Sequence, residues 1–234
     1  MKNIFLKCCR FLFYKIKRVV TCIQKFCKLY VIRDPFTVSV NKWFKDDGDN
    51  TLRLNYPLTE DSIVLDVGGY EGEWSNKIYE KYESHIFIFE PVVKYYEKIT
   101  NRFSSNKKIK VYNFGLADKD TTAAISMLND GSSIYKLKGE SEKIILKNIE
   151  NFIKDNGIDK IDLIKINIEG GEYPLLKMMI EKNIINKCQS IQVQFHDFYP
   201  NAIALRTEIR ESLKKTHFIT YDYPFVWENW QKNV

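Results

Sequence analysis

From residue 61 onward, short apolar runs that end in glycine, or in an acid followed by proline, alternate with stretches of helical character. Ile63–Val67 closes on Gly68-Gly69 and is followed by a helical stretch over 74–82. His85–Phe89 ends at Glu90-Pro91, with a helix over 92–103, and residues 109–114 close on Gly115. Residues 144–156 read as a helix closed by Gly157, 161–166 as a fourth strand, 173–182 as a helix and 190–195 as a fifth strand. A helix over 202–215 and a last strand or hairpin over 217–230 complete the pattern, and the polar stretch 118–140 holds a turn at 129–133. Runs this short and apolar are buried strands. Strands alternating with helices predict an α/β fold, a mostly parallel sheet with helices on both faces.

The 234 residues suffice for one full domain with an extension, and for a core that needs no disulfides or metal to hold it. The net charge of +6 hides an asymmetry. Residues 1–33 carry nine Lys and Arg and no acid, so the remainder has an excess of three acids. On a helical wheel eight of these cations, all but Lys2, fall within an arc of roughly 160°, and an aromatic and aliphatic face fills the opposite side. The reading is a basic amphipathic helix over 1–33, a connecting segment with little regular structure over 34–60, and one domain over 61–234. Charges interrupt the segment too often for a signal peptide or a membrane-spanning helix. A helix of this kind lies in an anionic membrane interface, or packs its apolar face on the domain or on a partner protein. Nucleic-acid binding is not expected, since no recognised motif accompanies the charge. The five Cys, four of them within residues 1–33, show no zinc-knuckle spacing and read as reduced thiols of a cytoplasmic protein, peripheral on the inner face of the cytoplasmic membrane if the helix binds lipid.

Ligands of open α/β sheets sit beyond the carboxyl ends of the strands. The residues at those ends are Asp66-Val67-Gly68-Gly69-Tyr70-Glu71-Gly72, Glu90-Pro91, Gly115 to Asp118, Asn167 to Glu172, and His196-Asp197. Asp66, Gly68 and Gly72 make a D-x-G-x-x-x-G turn in which glycine lets the backbone approach a ligand closely. Glu90, closing the second strand, is placed to accept both hydroxyls of a ribose. Together, in order and on the right elements, these motifs predict an adenosyl pocket.

These residues, with the stretch Lys165 to Glu172 (Lys-x-x-x-Glu-Gly-x-Glu) as the most specific part, resemble the FkbM-type methyltransferases over roughly residues 60–200. The resemblance implies a Rossmann-like class I methyltransferase fold and S-adenosylmethionine as cofactor. It implies that Asp66, Gly68, Gly69 and Gly72 frame the amino-acid end of the cofactor, that Glu90 holds the ribose, that Ala117 and Asp118 lie near the adenine, and that Asn167 lines the methyl-transfer side. Asn167 stands where the family usually has Asp.

Methyl transfer to a hydroxyl needs in-line positioning and a group that takes the proton late in the reaction. His196 is the candidate base, because its ordinary pKa lies near neutrality and it ends a strand on the ligand side. Glu169 and Glu172 are the candidates to orient it or the acceptor. No metal is expected. The leading reading is an O-methyltransferase for a sugar hydroxyl in a surface glycan or lipid-linked glycan precursor. The alternatives are methylation of a soluble small molecule, such as a polyketide or nucleotide sugar, and a non-catalytic scaffold that keeps the fold.

Overall fold

The computed structural model describes residues 2–126 and 141–233, with side chains from Phe11 on apart from Leu12 and Ser126. Seven strands form the central sheet: β1 (Ile63–Val67), β2 (His85–Phe89), β3 (Ile109–Tyr112), β7 (Ile161–Ile166), β8 (Cys188–Val193), β9 (His217–Tyr223) and β10 (Trp227–Lys232). Their order is β3-β2-β1-β7-β8-β10-β9. The first five are parallel, and β9 and β10 form an antiparallel hairpin on the edge of β8. The mostly parallel sheet expected from the strand–helix alternation is present. A second, three-stranded sheet is formed by β4 (Gly115–Ala117), β5 (Thr121–Ser126) and β6 (Ser141–Asn148), in the order β4-β6-β5.

The helices are α1 (Lys2–Phe26), α2 (Pro35–Lys45), α3 (Glu73–Tyr82), α4 (Val93–Arg102), α5 (Ile149–Asp155), α6 (Glu172–Glu181) and α7 (Ala202–Leu213). They leave two cores. One gathers Ile78, Ile86, Ile88 and Ile99 between the sheet and α3–α4. The larger one, beneath α5, α6 and α7, gathers Phe89, Phe152, Leu176, Ile191, Leu213 and Trp230. Leu65, Ile86, Ile88, Leu163 and Ile164 are wholly buried, as strands covered on both faces must be.

Four expectations need correction. Residues 34–60 are not a loosely structured connection. Asp34 caps α2 by accepting from the Thr37 N–H at 2.8 Å, Pro35 opens the first turn, and Trp43 packs with Tyr223, Val226 and Trp227. Farther along, Leu54, Tyr56 and Leu58 enter the α3–α4 core, so no packing boundary falls at residue 60. The helix expected over 144–156 is two elements. Ile144 is buried and Ile145 exposed, the period of a strand, and Asn148 then caps α5 through the Asn151 N–H at 3.0 Å. The strand expected over 109–114 stops at Tyr112, and Gly115 opens β4 of the second sheet. The basic helix is regular only to Phe26, and a π-helical stretch, Cys27–Val31, follows it. The turn expected at 129–133 lies outside the described residues.

Candidate active site

A cavity of about 620 Å³ opens at the carboxyl ends of β1, β2 and β7. That size suits a small-molecule ligand. The β1–α3 turn makes its floor. Gly68 has φ of 93°, and a Cβ there would stand 2.0 Å from the backbone oxygen of Asn167, so only glycine lets the ends of β1 and β7 come this close. Gly68 and Gly69 both donate their N–H to the Phe89 carbonyl at 3.1 Å, which ties the turn to β2. Tyr70, in the left-handed region at φ of 50°, aims its N–H at the Glu90 carboxylate, 2.8 Å away. Strained residues of this kind gather at binding sites.

Of the residues expected to touch a cofactor, Gly68, Gly69, Glu90, Ala117, Asp118 and Asn167 line the cavity. Asp66 and Gly72 stand behind it. Gly72 begins α3 and faces Phe103 and Ile99. Asp66 is fully buried, accepting from the Ser75 hydroxyl at 2.5 Å and from the Lys165 ammonium at 2.9 Å. Lys165 also donates to the Gly68 carbonyl at 2.5 Å. Burial draws the Lys165 pKa below its ordinary value, and the Asp66 charge draws it back up. This cluster fastens β1, β7 and α3 together directly under the glycine turn.

Glu90 receives N–H groups from both sides, Tyr70 on one oxygen and Val92 on the other at 2.9 Å. Burial pushes its carboxyl up to about 7, against those two donors, which favour the ionised form. Asn167 presents a buried side-chain oxygen, Oδ1, that has no hydrogen-bond partner. An orphaned acceptor in a cavity wall is costly unless a ligand donates to it.

The expected catalytic residues form a second charged cluster. Glu172 is fully buried. Its Oε2 accepts the Gly170 N–H at 2.8 Å, and its Oε1 accepts the His196 N–H at 2.8 Å and lies 3.0 Å from His196 Nδ1. On the other side of the ring, Nε2 lies 3.5 Å from Glu169 Oε1. Glu169 itself lines the cavity, with a left-handed φ of 53° that turns it away from the β7 direction. Burial works against a charged imidazole, but the bonds to Glu169 and Glu172 prevail and raise His196 to about 9. His196 itself does not line the cavity; it stands between two carboxylates, and Glu169 is the member of the cluster that faces the cavity.

The sequence reading missed the far wall. Arg53, Trp227 and Gln194 line it, with the Arg53 guanidinium 4.0 Å from the Trp227 ring centroid and within 3.4 Å of Gln192 Oε1. Nothing local in the sequence marks residues so far apart as neighbours. Lys165 did carry a signal, because a lysine within an apolar strand demands a buried counter-charge, and Asp66 is opposite it in the register. Among the described residues no group of three or more His, Cys, Asp or Glu could hold a metal ion.

The model of the methyltransferase FkbM domain matches residues 66–219, and so spans every strand end described above. The chain belongs to the FkbM methyltransferase family. No curated protein matches it. Among solved structures, a candidate rRNA methylase from Clostridium thermocellum is 10% identical, with 81% of this chain and 96% of that one covered and a TM-score of 0.50. An rRNA methylase from Streptococcus thermophilus is 14% identical, over 82% and 95% of the two chains, at a TM-score of 0.47. TrmK of M. capricolum, in complex with S-adenosyl-homocysteine, is 14% identical, over 81% and 68%, at 0.46. At 10% identity the likeness to the Clostridium thermocellum protein is one of fold alone. As an FkbM-family methyltransferase the protein uses S-adenosylmethionine, and the cavity fits it: a glycine turn open to close approach, a buried carboxylate closing β2, and an acceptor at Asn167 without a donor.

Proposed function

We propose that the protein is an S-adenosylmethionine-dependent O-methyltransferase for a sugar hydroxyl, in a surface glycan or a lipid-linked glycan precursor. The observation that carries the reading is one cavity joining the glycine turn and Glu90 on one side to the Glu169–His196–Glu172 cluster on the other. In this reading Gly68 and Gly69, bare of side chains, let the amino-acid end of the cofactor lie close against the turn. Glu90 accepts the ribose hydroxyls, Ala117 and Asp118 border the adenine, and Asn167 Oδ1 accepts from the cofactor's ammonium.

S-Adenosylmethionine supplies an electrophilic methyl group, and the chain supplies position and a path for the proton. Glu169 accepts a hydrogen bond from the acceptor hydroxyl and takes its proton as the new bond forms. His196, held by Glu172, keeps Glu169 at the cavity edge, so His196 and Glu172 are positioning residues. Polar groups converge on this space from several elements: Glu71, Asp118 and Glu169 as acceptors, Arg53 as a donor. The Tyr70 ring, paired with Tyr95 at 4.6 Å, is exposed at the rim and offers a face to the C–H side of a sugar ring. A polyol with alternating apolar and hydroxyl edges suits such walls.

The test pairs calorimetry with S-adenosyl-homocysteine and mass spectrometry of surface glycans from cells with and without the protein. The reading expects binding, and glycans one CH2 lighter per site in the cells that lack it. Absence of cofactor binding would leave a scaffold, and unchanged glycans with intact binding would move the acceptor to a soluble small molecule.

A further inference from the structure

Fourteen of the nineteen large apolar side chains that stand exposed among the described residues lie between Phe11 and Phe44. Elsewhere among the described residues the exposed ones are Tyr70, Val93, Ile145, Ile203 and Phe218, scattered singly. Phe13, Ile16, Val19, Val20, Ile23 and Phe26 share one side of α1, within an arc of about 140° at about 100° per residue. Lys15, Lys17, Arg18 and Lys25 hold the opposite arc of about 160°. All of these side chains are exposed, so the apolar face of α1 does not rest on the domain. Lys15 folds back over the Phe11 ring at 4.7 Å, an arrangement that lets a cation reach headgroups while its stem stays apolar. The exposed apolar surface continues through Tyr30, Val31 and Ile32 to Phe36 and Phe44 on α2.

We infer that residues 11–44 dock the protein on an anionic lipid bilayer, with the apolar side of α1 sunk in the interface and the basic side among the headgroups. No described helix is long and apolar enough to cross a membrane. A large exposed apolar face beside a dense cationic one is what lies in an interface. Charge decides between occupants. The segment's side chains from Phe11 to Arg33 include six cations and no acid, which matches a surface of uniform negative charge. A second copy would set these cations against themselves. The docked face also leads to the reaction cavity. Phe36 and Phe44 border a groove of about 200 Å³ that ends on Gln194 and Trp227, and both of those residues line the cavity as well.

The test is sedimentation of the full chain with vesicles of phosphatidylcholine alone and of phosphatidylcholine mixed equally with phosphatidylglycerol. Binding to the mixed vesicles and not to the neutral ones is expected, with steady loss as salt rises from about 0.01 M to 1 M. Neutralising three cations (Lys15→Gln, Lys17→Gln, Arg18→Gln) should cost about a hundredfold in partition at low salt, at about fivefold per charge. A second variant, Ile16→Ser, Val20→Ser and Ile23→Ser, should lose at least as much, because its apolar face is gone. Both should bind S-adenosyl-homocysteine as the wild type does, which reports a folded body and separates this inference from the methyl-transfer reading. An intact protein that stays with the supernatant at low salt overturns the inference. So does equal binding to both vesicle types, or a self-association that the serine variant abolishes and vesicles do not compete with.

Discussion

Two charged clusters sit side by side at the carboxyl edge of the sheet and do opposite work. In the first, Lys165, Asp66 and Ser75 satisfy one another in full burial, with the lysine also on the Gly68 carbonyl. In the second, Glu172 and His196 are bound together behind the wall, while Glu169 at the far end lines the cavity. The first reaches the cavity through Lys165, but that ammonium is already shared between Asp66 and the Gly68 carbonyl and holds the scaffold. The second reaches it through Glu169, which can accept from a substrate. Both clusters put one member in the cavity wall, and burial alone does not single out the one that does chemistry.

The sharpest way to break the contrast is Lys165→Ala. It strands the Asp66 carboxylate in the core, and breaking a buried pair costs about 3–5 kcal/mol. Denaturant unfolding followed by circular dichroism should show a midpoint far below the wild type. The double change Asp66→Asn with Lys165→Met should recover part of the loss. A midpoint near that of the wild type in the single variant would mean that the pair does not hold the scaffold.

That scaffold cluster also marks the limit of what the sequence discloses. Strand ends such as Val67-Gly68-Gly69 and Phe89-Glu90-Pro91 are legible because strand, turn and ligand contact are all local. The pairing of Lys165 with Asp66 is written by register between strands 99 positions apart, and only the rule against lone buried charges hints at it. For His196, the place at a strand end is local, but its pairing with Glu169 and Glu172 is not written in any local pattern. Segment 34–60 was misread because its helix leans on Tyr223 and Trp227, remote residues that no local pattern foretells.

Glu169→Gln tests the open cluster. Turnover should fall about 10²–10⁴-fold while S-adenosyl-homocysteine affinity in calorimetry changes by less than about threefold, because the side chain is assigned to the proton and not to the cofactor. Equal losses in both would place Glu169 in cofactor binding.

His196 sharpens the comparison through pH. Its pKa is raised in the folded protein to about 9, so the folded state holds its proton more tightly than the unfolded chain does. The resulting stability is complete below about 6.5 and disappears as pH rises through about 9. Thermal melts of the wild type should decline across that window, and those of His196→Gln should not. A flat wild-type profile would show that the ring is neutral and free to act as a base.

The smallest effect belongs to Glu90→Ala, for which S-adenosyl-homocysteine affinity should drop about tenfold, since hydrogen bonds to a charged group are worth about 1.5–3 kcal/mol. With its carboxyl raised to about 7, the wild type should gain affinity as pH climbs through that value, and the alanine variant should show no such gain.

Gly68 bears on how such a chain can change over generations. Any side chain there would meet the carbonyl of residue 167, a backbone atom that no substitution elsewhere can remove. Mutational drift can exchange the cavity's acids, aromatics and cations one at a time, and with them the acceptor. It has no intermediate through which to leave glycine at 68. What holds glycine at 68 is therefore the backbone facing it and no functional group of its own, and selection for new chemistry must work around it.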